Sequence, residues 1–192
     1  MKQSSMKKKI WRLMAFFLAG TAVLSVLYRN TSGEVLLALS ITFGTFTYHF
    51  IMRLLTGLVF SSVMHNKADY GKRWYRVGIR EMRIYEKLKV RKWKGKMPTY
   101  DRTCFDPRVH TWDEIAQSTC QSELTHEAIV VLSFLPVAAG LRFGAYPVFI
   151  VTSVLAASFD LMLVMMQRYN RQRIARLLTR KGELDQAQAT GR

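Results

Sequence analysis

Residues 118–136 read STCQSELTHEAIVVLSFLP, a polar, titratable segment running straight into an apolar one. Glu123 and His126 stand three residues apart, so on a helix they share a face. The apolar part that follows is too short to cross a bilayer alone, and Pro136 interrupts it. A spanning helix must therefore begin upstream, near Asp113, and carry the carboxylate and the imidazole to the edge of the hydrocarbon. Read this way, the stretch belongs to the third of four membrane crossings, and the fold class is all-α, a polytopic membrane protein.

The other crossings follow from apolar length. Residues 10–28 hold one charge, Arg12, and suffice to span at about 1.5 Å per residue. That run is long for a secretory signal and no clean small-residue cleavage site closes it, so an uncleaved signal anchor is the preferred reading. Residues 35–56 make the second span within an apolar segment whose only ionisable groups are His49 and Arg53. The third span lies near 120–141 and the fourth near 145–166, where Asp160 is the single charge. Residues 1–176 are expected to form one four-helix membrane domain, and 177–192 a polar tail that frays. The loop 65–119 is hydrophilic, and within it residues 70–94 read mainly as an amphipathic helix lying along the membrane. Its apolar stripe would be Trp74, Val77 and Ile84.

Charge sets the orientation. The chain has 29 Lys and Arg against 13 Asp and Glu, a net +16, yet a mean hydropathy of only +0.02. The average hides a segregation of apolar and basic blocks that a bilayer imposes. Such a charge by itself suggests nucleic acid. Here the basic blocks flank apolar spans, so anionic phospholipid headgroups and an anionic acyl donor are the expected partners, and nucleic acid is not. Five basic residues precede or open the first span, fourteen lie in the loop and seven in the tail, against one in each short turn. The positive-inside rule then places both termini and the loop in the cytoplasm of a multi-pass cell-membrane protein. Cys104 and Cys120 fall on that reducing side with no metal-ligand spacing around them, and are read as incidental.

Depth can be counted from the outer helix ends at about 1.5 Å per residue, which puts His49, His126 and Asp160 roughly 21 to 23 Å inward and Glu123 and Arg53 about 27 Å. Two adjacent layers of ionisable groups in the inner half of the bilayer should face one another rather than lipid. A Glu123–Arg53 pair would satisfy both members and leave His126 able to act as a base. A histidine beside a carboxylate can take the proton of a hydroxyl as it attacks an acyl group. Neither GxSxG nor HxxxxD occurs. Glu123, His126, His49 and Asp160 are also potential metal ligands, but no HExxH spacing supports this and no metal is expected. A metal-dependent membrane hydrolase and a non-catalytic partner in lipid transport or assembly, whose polar layer only holds helices together, remain the alternatives.

Three stretches resemble the glycosyl-4,4'-diaponeurosporenoate acyltransferase family: YEKLKVRKWKGKMP at 85–98, TCQSELTHE at 119–127 and QRYNRQR at 167–173. The family pattern near ETCxAExxHW is matched at Thr119, Cys120, Glu123 and His126, and departed from at Ser118 and Glu127. The resemblance implies transfer of a fatty acyl group onto a sugar hydroxyl of a membrane glycolipid at the cytoplasmic leaflet. No cofactor is implied beyond acyl-CoA or acyl-carrier protein as co-substrate. His126 would be the general base and Glu123 its orienting partner. Arg168, Asn170 and Arg171 would bind donor phosphate or the sugar, assisted by Trp93 and Lys94. His49, Arg53 and Asp160, brought in by the depth count and not by the resemblance, would complete the substrate site.

Overall fold

Apolar runs of this length fold as helices because no water in the hydrocarbon can satisfy an open backbone. The computed structural model describes residues 3–93, 97 and 103–190, with side chains placed among these from 8 to 182. Helix accounts for 84% and there is no strand among the described residues, so the architecture is all-α. The helices are α1 (Gln3–Thr31), α2 (Glu34–Met64), α3 (Ile79–Lys87), α4 (Trp112–Leu132), α5 (Leu135–Phe143) and α6 (Tyr146–Thr190). Four stretches are long and apolar enough to cross a membrane: Lys8–Thr31, Glu34–Met64, Trp112–Phe143 and Tyr146–Gly182. Their large apolar side chains are widely exposed, Phe16, Leu58, Val131 and Leu155 among them, as lipid-facing surfaces require. This is a membrane protein.

The chain forms two compact units, one of residues 1–59 and 127–161, the other of 60–126 and 162–192. In the first, α1 and α2 run antiparallel, and small polar residues let them approach: Thr21 and Thr47 hydroxyls lie 3.2 Å apart, Ser25 and Ser40 2.8 Å. Pro136 shapes the third crossing. The carbonyl of Leu132 would normally receive the N–H of residue 136, which proline lacks, so α4 stops there and α5 restarts with the proline in its first turn. The Tyr48 hydroxyl donates to that carbonyl at 2.8 Å and replaces the missing bond.

In the second unit the basic segment is less helical than its periodicity predicts. Only Ile79–Lys87 is α-helix, flanked by 3-10 turns at Arg73–Tyr75 and Val90–Lys92, and Lys89 takes a left-handed φ of 55° that ends the run. The inward face also differs. Met82 and Tyr85 are buried, whereas Trp74 and Ile84 of the expected stripe are exposed, because the true helix starts only after Gly78 and its register is set from there. Tyr85, Val90, Met97, Leu163 and Met166 form one core; Ile115, Ala116 and Ile174 form another. The start of α4 is a capping box, with Thr111 Oγ1 accepting the Glu114 N–H and the Glu114 carboxylate accepting that of Thr111. The tail also departs from expectation: the backbone stays helical to Thr190, as the helix-favouring residues of LLTRKGELDQAQA allow.

Candidate active site

Arg168 and Arg171 are three residues apart and share a face of α6, and Glu123 lies on α4 within the same unit. The Glu123 carboxylate has no solvent exposure. Its Oε1 accepts from Arg168 Nη1 at 2.6 Å, and its Oε2 from Arg171 Nη1. Arg168 turns its other edge to Glu81 of α3, with Nε donating to Oε1 at 2.6 Å and Nη2 to Oε2 at 3.3 Å. It also donates to the carbonyls of Trp74 at 3.3 Å and Arg76 at 3.2 Å. Between them these carbonyls come from the 3-10 turn and its cap, and the one they enclose, that of Tyr75, accepts from Arg171 Nη2 at 2.8 Å. The Arg171 guanidinium sits 4.9 Å from the centre of the Tyr75 ring.

Two carboxylates and two guanidiniums make a neutral cluster, and that balance allows buried charge to persist. A guanidinium has five N–H donors, and all five of Arg168 are used. A phosphate contact from Arg168 would have to displace one of these bonds. Burial pulls the Glu81 carboxyl up, but hydrogen bonds from Arg168 and Tyr85 outweigh it and hold its pKa below the ordinary value. The same burial, with the bond to Glu81, pushes the Tyr85 phenol well up. Nearby, the hydrogen bond Tyr70 donates to Asp113 leads the causes that push that phenol up to about 12.

His126 follows Glu123 by one helical turn on α4 and is half-buried. The Glu123–Arg53 pair expected from depth does not form: Glu123 takes Arg168 and Arg171, and in the first unit Arg53 pairs with Asp160 and donates to the carbonyls of His49 and Ala156, both at 3.3 Å. Height along the membrane normal says nothing of rotation about a helix axis, and rotation chooses the partner. Trp93 packs against the Tyr85 core and Asn170 is half-buried, while Lys94 lies outside the described residues. Reading the sequence missed Glu81, Tyr75 and Tyr85. The available signal was an acid three residues after Gly78 in a basic segment, with a tyrosine one turn beyond it.

No curated protein and no solved structure matches the chain. A family described as glycosyl-4,4'-diaponeurosporenoate acyltransferase matches over residues 66–180, a segment that holds the whole Glu81–Glu123–Arg168–Arg171 cluster together with His126. Because that segment is over half of the 192 residues and contains every member of the ion-pair cluster, the chain belongs to the glycosyl-4,4'-diaponeurosporenoate acyltransferase family.

Proposed function

We propose that the protein transfers a fatty acyl group from an anionic thioester, acyl-CoA or acyl-carrier protein, onto a sugar hydroxyl of a membrane glycolipid at the cytoplasmic leaflet. A glycosylated carotenoid acid is the acceptor class that the family's description suggests. The observation that carries the mechanism is the fixation of Glu123 by two arginines one turn from His126. With both oxygens engaged, Glu123 is a stationary negative charge suited to stabilising an imidazolium rather than to taking a proton itself. His126 removes the proton from the acceptor hydroxyl as its oxygen attacks the acyl carbonyl. A C–O bond forms, the thioester C–S bond breaks, and the imidazolium returns its proton to the departing thiolate. No further co-reactant is required. Arg168 and Arg171 then serve by positioning Glu123. Exposed cations of residues 72–92, with Asn170, Trp93 and Lys94, meet the donor's anionic groups and phospholipid headgroups on the cytoplasmic side.

Turnover by purified protein in lipid nanodiscs tests the base. His126→Ala should lower the acylation rate by about 10²- to 10⁴-fold with the unfolding temperature unchanged. Acylation by that variant at the unsubstituted rate refutes the assignment.

A further inference from the structure

Two buried polar side chains of the first unit make no hydrogen bond among the described residues. The His49 imidazole is 4% exposed with both ring nitrogens unpartnered, and the Ser153 hydroxyl, fully buried, is unpartnered too. A neutral imidazole offers one donor and one acceptor, and a serine hydroxyl offers both. Arg53 shows how the two helices face each other, because its guanidinium reaches the His49 carbonyl on α2 and both the Ala156 carbonyl and Asp160 on α6. His49 lies one turn before Arg53, and Ser153 lies one turn before Ala156 on the face shared with Asp160. With four alternating crossings the second and fourth run in the same direction, so one turn back on each brings His49 and Ser153 to the same level.

The adjoining charges cancel, since Arg53 is paired with Asp160. An anion or a cation would find no surplus charge to oppose it, whereas a group that both donates and accepts finds two complements. Phe46 on α2 and Val154 and Leu155 on α6 are exposed apolar residues of the neighbouring turns, so lipid-facing surface borders the pair. We infer that His49 and Ser153 form a binding site for the uncharged hydroxyl of a lipid-soluble alcohol. It differs from the Glu123 cluster in its residues and in lacking ion pairs of its own. Both the site and its occupancy stand whether or not the acyl-transfer reading does.

The test is the ring-nitrogen resonances of isotope-labelled histidine in the full chain, reconstituted in nanodiscs and titrated with dodecanol or with dodecyl methyl ether, which accepts but cannot donate. The resonances of His49, identified by their loss in His49→Phe or, if that variant does not fold, in His49→Gln, should move with the alcohol and not with the ether. Ser153→Ala should raise the half-saturating alcohol concentration about tenfold, the loss of one hydrogen bond of about 1.4 kcal/mol. Unmoved resonances, equal shifts with the ether, or a response indifferent to Ser153→Ala would each overturn the inference.

Discussion

At the scale of single residues, a carboxylate with no solvent exposure can remain ionised only where opposing charge and hydrogen-bond donors replace its hydration. Glu123 meets that condition through two arginines, and removing its charge would leave Arg171 without a carboxylate among the described residues, while Arg168 keeps Glu81. Glu123→Gln should therefore cost about 3–5 kcal/mol of stability, read by denaturant unfolding in micelles, and Glu123→Gln with Arg171→Met should recover part of the loss. An undiminished stability in Glu123→Gln would show the cluster to be loosely held. Glu81 gives the pH dependence. Its folded pKa lies below the unfolded value near 4.5, so the stabilisation it supplies is complete above that value and is lost as pH falls through the folded pKa. The stability difference between the protein and Glu81→Gln should be constant at neutral pH and shrink only in acid below about 4.5. A difference that persists unchanged through that acid window contradicts the ion pair. The roles of these residues differ in how far sequence exposed them. Glu123 and His126 announce themselves as ionisable groups where an apolar run begins, but Glu81 looks like one more charge on a solvated surface until Arg168 is seen to face it.

At the scale of elements, the third crossing is broken by a covalent fact, the missing N–H of Pro136, and repaired by a distant one, the Tyr48 hydroxyl on α2. Tyr48→Phe keeps the ring and removes the donor. It should destabilise the protein by about 1–3 kcal/mol, the cost of an unsatisfied buried acceptor, measured by thermal unfolding in detergent, and Tyr48→Phe with Pro136→Ala should regain stability by restoring the N–H to Leu132. No gain from the second substitution would mean that the helix break has another cause. Helix starts were legible locally, since TWDE at 111–114 is a capping signature that the structure uses. The basic segment was not. The stripe of Trp74, Val77 and Ile84 suggests a mainly helical segment, but the carbonyls of Trp74, Tyr75 and Arg76 are drawn to Arg168 and Arg171, and a continuous helix would have consumed them internally.

On the scale of the whole molecule, four apolar spans and blocks of basic residues at their ends make the topology testable. The positive-inside rule predicts that Ser32, in the turn between α1 and α2, lies outside the membrane and Lys92 inside. In a Cys104→Ser background, a membrane-impermeant thiol reagent applied to intact cells should label Ser32→Cys at once and Lys92→Cys only after permeabilisation. The opposite pattern would invert the orientation and remove the cytoplasmic leaflet from the proposed reaction. The sequence by itself determined the helical class, the four spans and the residue types available for chemistry, because bilayer thickness, helix rise and the cost of unsatisfied backbone act on contiguous residues. Only the tertiary structure decided which charges pair. Arg53 with Asp160, and Glu123 with Arg168 and Arg171, depend on the rotation of each helix about its axis and on a 3-10 turn more than ninety residues from the arginines it meets. Those quantities are set by packing between segments remote in the chain, which no local pattern of residues encodes.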